Sequence, residues 1–123
     1  MCWIYLFLAA FTIGSFPTAY VVGRVVKKID IRQHGSGNVG ATNVFRVLGK
    51  KYGLLVFAID FLKGAAAVWL VYLLLKNPSS PIASRCPAFL TSQSLALWIG
   101  LGAILGHVFT PYLRFKGGKG IAT

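Results

Sequence analysis

The sequence predicts an all-α polytopic membrane protein with three transmembrane helices, and three observations predict it. Of its 123 residues, 56% are hydrophobic and only 12% charged, more apolar surface than a soluble core of this length can absorb. Three long runs are almost free of charge. The charged minority is lopsided, with 13 Lys plus Arg against Asp30 and Asp60, a formal net charge of +11. A disordered chain would be polar, and an ordinary soluble enzyme does not carry these runs. What remains is a membrane protein whose basic loops face phosphates, either on lipid or on a substrate.

The first span is expected over about 2–25. It rests on the run Cys2–Gly23, which has no charge over 22 residues, enough at about 1.5 Å per residue to cross a hydrocarbon core of roughly 30 Å. A cleaved leader is the alternative, but the run lacks a basic leading region and exceeds the usual apolar stretch of about 7 to 15 residues. Pro17, after Gly14 and Ser15, is expected to kink this helix where neighbouring segments can satisfy the freed carbonyl. A polar loop follows over about 27–52, reading KKIDIRQHGSGNVGATNVFRVLGKKY. The second span, about 53–75, is broken in character only by Asp60 and Lys63, whose i,i+3 spacing sets them on one helical face as a structural intramembrane pair. A Pro- and Ser-containing loop over about 76–93 reads as irregular. The third span, about 94–113, is interrupted by His107 and by Pro111 near its end. A basic, glycine-rich stretch, 114–123, completes what reads as a single integral membrane domain over 1–123 without internal repeats. Trp3, Trp69 and Trp98 fall near span ends, as interfacial anchors do. Cys2 and Cys86 have no metal-ligand spacing around them, so neither a disulfide nor a metal or cofactor is expected.

Orientation follows from where the cations lie, because Lys and Arg in short loops stay on the cytoplasmic side. Arg24, Lys27, Lys28, Arg32, Arg46, Lys50 and Lys51 flank or occupy the first loop, whereas the second has Lys76 and Arg85. The first loop is therefore expected inside, the N-terminus outside, and the end carrying Arg114, Lys116 and Lys119 inside as well. Both glycine-rich basic segments then emerge on one face.

Those two segments carry the chemistry. Gly35, Gly37 and Gly40 have the spacing G-x-G-x-x-G, but a dinucleotide fingerprint needs a buried strand before it and a βαβ unit around it, which a polar IDIRQH segment does not supply. A Walker pattern fails too, since Leu113 stands where its first glycine should be and Gly120 where Ser or Thr should be. What survives is the physics beneath both: close-set glycines turn backbone N–H groups toward one point, an anion-binding nest. Ser36, Asn38, Thr42 and Asn43 add compact polar groups, and Arg46 can grip a phosphate through two parallel N–H bonds. In GGKG, 117–120, glycines on both sides of Lys119 leave bare backbone beside an ammonium. The bland alternatives are a flexible turn for the first segment and a cluster held by anionic headgroups for the second. His107 reads either as a satisfied helix residue or as a ring facing protein or a water-filled cavity.

GSGNVGATNVFR at 35–46, DFLKG at 60–64, GH at 106–107 and FKGGKGIAT at 115–123 resemble successive signatures of the bacterial acyl-phosphate:glycerol-3-phosphate acyltransferases, the PlsY family. The resemblance implies a seven-helix inner-membrane enzyme, its active site on the cytoplasmic side, that moves a fatty acyl group from acyl phosphate to the sn-1 hydroxyl of glycerol 3-phosphate. Its products would be lysophosphatidic acid and phosphate. It further implies catalytic roles for Ser36, Arg46, His107 and Lys119. Gly35, Gly37, Asn38, Gly40, Thr42, Asn43, Gly117, Gly118 and Gly120 would bind substrate. In this division Arg46 and Lys119 take the phosphates, glycine amides take the charge that builds up at the reacting centre, and Ser36 and His107 position or polarise the hydroxyl. The His-x4-Asp pattern of the other glycerol-phosphate acyltransferase class is absent, since Val39 and Tyr112 stand five positions beyond His34 and His107. An acyl phosphate has a good leaving group, so a substrate phosphate oxygen can serve as proton acceptor. The family's third motif lies in a later segment, so this chain is expected to be the N-terminal part of such an enzyme, or a truncated and inactive one. Three helices alone are expected to leave Asp60, Lys63 and His107 open to lipid. The alternative from another class is a non-catalytic small membrane subunit, or a lipid-binding protein docked on anionic headgroups. Nucleic acid is set aside because the loops lack interleaved aromatics and sit against a bilayer. The oligomeric state is open.

Overall fold

The chain was analysed as a computed structural model, which describes residues 2–77, 81 and 92–123. Most of the loop predicted over 76–93, with Arg85 and Cys86, lies outside the described residues. Five α-helices follow in order among the described residues: α1 (Cys2–Gly14), α2 (Thr18–Lys27), α3 (Ala41–Leu48), α4 (Lys50–Lys76) and α5 (Ser92–Val108). Among the described residues there is no strand. Three segments among the described residues are long and apolar enough to cross a membrane: Trp3–Lys27, Lys50–Lys76 and Gln93–Leu113.

The first span is two helices rather than one, broken at the predicted kink. Pro17 has no N–H and its ring opposes helical continuation, so α1 stops at Gly14 and α2 begins at Thr18. Carbonyls freed within a bilayer must find donors. The Ser15 carbonyl accepts from the Thr110 hydroxyl at 2.5 Å, and the Phe16 carbonyl accepts from Lys63 Nζ at 3.0 Å. The break is thus closed by groups from the two other spans.

The second span starts at Lys50, three residues before the predicted 53, because Gly49 at φ 92° turns the chain directly from α3 into α4. In the third span the helix α5 stops short of 113, at Val108. Thr110 precedes Pro111 and is held at φ −58°, ψ 121°, outside the helical region, as a residue before proline prefers to be. The chain then turns through a 3-10 helix, Pro111–Leu113. It folds back so that the Gly117 and Gly118 amides donate to the Val108 and His107 carbonyls at 3.0 and 3.1 Å. These are terminal carbonyls of α5, which would otherwise lack partners.

Lipid tails give apolar helices little reason to associate, so spans pack where small residues let backbones approach. On α5, Gly102 and Gly106 stand four apart, facing Phe7 and Phe11 of α1. A Cβ on Gly106 would collide with the Phe11 carbonyl, and one on Gly14 with the backbone of Ala103. Leu6, Ala10, Ala67, Val71, Ile99 and Ala103 form the buried cluster where α1, α4 and α5 meet. A second cluster of Ala19, Ile31, Val39, Val44, Leu48, Val56 and Leu113 lies beneath the loop that joins α2 to α3. That loop is therefore anchored by its own apolar residues, Ile31 and Val39, and not merely tethered at its ends.

Candidate active site

The first glycine-rich segment is a folded loop organised around Asn43, which is fully buried. Its Oδ1 accepts from the Ser36 amide at 2.9 Å, while Nδ2 faces the carbonyls of Ile31, His34 and Asn38 at 3.1, 3.0 and 3.0 Å. Gly35 and Gly37 adopt positive φ, 60° and 70°, which glycine alone enters readily. At Gly35 a Cβ would also strike Asn43 Oδ1. Asn43 therefore shapes the loop from within, its polar atoms engaged by loop backbone. The first turn of α3 leaves the Ala41 and Thr42 amides without helical acceptors, as every helix start does.

Before the loop, Asp30 caps the 3-10 helix Ile31–Gln33. It accepts from the Arg32 amide at 3.1 Å and from the Arg32 guanidinium at 2.9 and 2.6 Å. Arg24 adds a longer contact at 3.4 Å, and both arginines lie over the Tyr20 ring. The Arg32 guanidinium holds the Asp30 carboxyl down to about 2 from its ordinary 3.8. A carboxylate with a depressed folded pKa contributes stability above its unfolded pKa and loses it as pH falls through the folded value. Acid should therefore loosen this loop progressively from about pH 4 to below pH 2, and Asp30→Asn should flatten that part of an acid-unfolding curve followed by intrinsic fluorescence.

Asp60, Lys63 and His107 meet inside the helices. Lys63 Nζ lies 2.9 Å from Asp60 Oδ1 and 2.9 Å from His107 Nδ1, and Asp60 Oδ1 lies 3.7 Å from His107 Nδ1. The three residues are 1%, 8% and 8% exposed, so the expectation that three helices would leave them open to lipid is corrected. They face one another because the i,i+3 spacing on α4 aims Asp60 and Lys63 at the end of α5, where the break at Pro17 also contributes a carbonyl.

The second glycine-rich segment rests on this group. A Cβ on Gly118 would hit His107 Nε2 and come within 2.6 Å of the Val39 carbonyl, so bare backbone lets the turn lie between His107 and the first loop. The Gly117 and Gly118 amides point at α5 and are engaged there. They are not aimed at a ligand, and the Gly37 amide is likewise bonded to the His34 carbonyl at 3.0 Å.

Between the two segments is a cavity of about 240 Å³. It is lined by Ser36, Asn38, Gly40, Thr42 and Arg46 from the first, by Lys119 and Gly120 from the second, and by His107 of α5. Residues 46 and 107 come from elements 61 positions apart, yet they share one wall. Gly35, Asn43 and Gly118 lie behind the lining, and Gly37 and Gly117 line a separate cavity with Asp30, Arg32 and Lys116. Arg46 and Lys119 form no ion pair or hydrogen bond among the described residues, so two cations without a paired carboxylate face one cavity. The lining also includes Asp60, Phe57, Ala41, Ile121 and Ala122, which sequence reasoning did not assign to the site. For Asp60 the signal was present in its DFLKG segment, but its pairing with Lys63 accounted for it without a cavity. Among the described residues no group of three or more His, Cys, Asp or Glu could hold a metal ion.

A family model described as "Glycerol-3-phosphate acyltransferase" matches residues 4–123. The chain belongs to the glycerol-3-phosphate acyltransferase family. It is 46% identical over 121 residues to the glycerol-3-phosphate acyltransferase of Chlorobium phaeobacteroides (strain BS1), covering 98% of this chain and 49% of the relative. The Staphylococcus aureus (strain Newman) relative of the same name is 46% identical over 120 residues, covering 98% and 56%. The chain spans about half the length of the family relatives it matches. Among solved structures it is similar to a crystal structure of PlsY (YgiH), an integral membrane glycerol 3-phosphate acyltransferase, in its glycerol 3-phosphate form. The TM-score is 0.73 at 38% identity, over 98% of this chain and 52% of the other. The lysophosphatidic acid form of the same protein gives a TM-score of 0.70 at 37% identity. With its three apolar spans, this member of the acyltransferase family is a multi-pass membrane protein.

Proposed function

We propose that this chain supplies the phosphate-handling part of an enzyme that acylates glycerol 3-phosphate from acyl phosphate, at the cytoplasmic face of the inner membrane. The single observation that carries the reading is the convergence of unpaired Arg46 and Lys119 on one cavity with Ser36, Thr42 and His107. Two cations suit a reaction in which acceptor and donor both bear phosphate. Arg46 takes one phosphoryl group through its planar fork and Lys119 the other as a point charge. The sn-1 hydroxyl oxygen attacks the acyl carbonyl carbon, the bond from that carbon to the phosphate oxygen breaks, and the departing phosphate accepts the hydroxyl proton. The free amides of Ala41 and Thr42 and the cationic side chains stabilise the charge that develops at the reacting centre. Ser36 orients the hydroxyl. Asp60 is held by Lys63 and is not needed as a base.

Acyl transfer from acyl phosphate to labelled glycerol 3-phosphate, measured in membranes carrying the protein, tests this. Arg46→Ala and Lys119→Ala should each lower turnover by about 10²-fold, the scale of losing one preorganised charge contact at a reacting centre. Lys119→Arg should recover little, because a guanidinium does not fit where an ammonium sits between glycines. Full activity in the arginine variant would instead favour simple headgroup docking, and unchanged turnover in both alanine variants would refute the assignment.

A further inference from the structure

We propose that Lys63 is a positioning residue that fixes His107 as the neutral imidazole protonated on Nε2, so that the ring offers the cavity a hydrogen-bond donor and no base. A lysine ammonium has three N–H donors and no lone pair. Here one is given to the Phe16 carbonyl at 3.0 Å and one faces His107 Nδ1 at 2.9 Å, while Asp60 Oδ1, 2.9 Å away, pairs with the ammonium as a counter-charge without hydrogen-bond geometry. A ring nitrogen facing a donor must present its lone pair, and the neutral imidazole then carries its proton on the other nitrogen. The opposite tautomer would need Nδ1–H to reach Asp60, but that separation is 3.7 Å, beyond a hydrogen bond. A doubly protonated ring would set an N–H against an ammonium.

The other ring nitrogen is then the one that carries the proton. Nε2 makes no hydrogen bond among the described residues, and His107 lines the cavity beside Lys119. The bare backbone of Gly118 packs against that nitrogen, where any side chain would strike it. An Nε2–H at this wall donates to an anionic oxygen, and on the acyltransferase reading, on which this last step rests, the oxygen belongs to a phosphoryl group. Asp60 balances the ammonium and so keeps Lys63 a donor. The arrangement spans three elements: the broken first span supplies the carbonyl, α4 the ion pair and α5 the imidazole.

Nitrogen NMR of the protein in lipid nanodiscs, labelled with ¹⁵N-histidine, reads this directly, because the chain has two histidines and His34→Gln assigns them. At neutral pH His107 should show a single tautomer, with Nδ1 at the far-downfield position of an unprotonated ring nitrogen and Nε2 at the upfield position of a protonated one. Exposed His34 should show the averaged signal of exchanging tautomers. Lys63→Arg, which still donates, should keep the His107 pattern, whereas Lys63→Met should abolish it. A wild-type spectrum with Nδ1 protonated, both nitrogens protonated, or an average like that of His34 would overturn the proposal even if the Met variant does not fold. Inorganic phosphate added to the wild type should shift the Nε2 resonance. If it does not while the tautomer stands, the phosphoryl reading of the cavity fails and the hold of Lys63 on the ring survives.

Discussion

Asn43→Leu is expected to cost about 3–5 kcal/mol of folding stability and to release the loop between α2 and α3. The side chain is fully buried, accepts from one amide and offers its two N–H groups to three carbonyls. Its orientation is fixed by chemistry, since the Ser36 amide requires an oxygen and the three carbonyls require a nitrogen. A buried backbone group left without its partner costs about 1–3 kcal/mol, and water entering the opened loop keeps each of the four groups near the low end of that range. Leucine has the same branched outline but satisfies none of these groups. Denaturant unfolding in detergent should show the loss, and limited proteolysis should cut near His34 to Asn38 in the variant first. A loss under about 1 kcal/mol would mean that the glycines and the apolar anchors Ile31 and Val39 shape the loop without Asn43.

Lys63→Met should be comparably damaging, by about 3–5 kcal/mol, because it strands the Asp60 carboxylate, 1% exposed, without its counter-charge. It also removes the donor to the Phe16 carbonyl at the Pro17 break. Replacing both members, Asp60→Asn with Lys63→Met, should recover part of the loss, since a neutral amide is far cheaper to bury than a lone charge. A thermal-unfolding cycle over the four variants measures that coupling. Simple additivity would contradict the ion pair as the origin of the effect.

Much of this architecture could be read from residues alone. The three spans followed from uncharged length, and Pro17 announced both the break and the need for outside donors. The meeting of the two glycine-rich segments was legible only as a shared side of the membrane, because loop-to-loop contact depends on where the helices end. That Thr110 and Pro111 would stop α5 at Val108 and fold GGKG back over His107 is a tertiary outcome with no periodicity to mark it. Asn43 shows the same limit. In the sequence it is one more small polar group near glycines, and its inward direction is decided by the buried carbonyls around it. The glycines of GGKG suggested close approach to a ligand, whereas Gly117 and Gly118 approach α5, a distinction that composition does not carry. Asp60 was recognisable as half of a pair, but its place in the cavity wall needed the position of α5.

The idea that most else depends on is physical adjacency of residues far apart in the chain, and short-range thiol cross-linking measures it most directly. With Cys2→Ser and Cys86→Ser to clear the background, Ser36→Cys and Lys119→Cys should be joined in native membranes by a bifunctional reagent spanning about 8 Å, the width of a roughly spherical space of about 240 Å³. Cross-linked product in high yield is the expected result. Failure to join them in a folded protein, or labelling of the two thiols from opposite sides of the bilayer, would contradict the account.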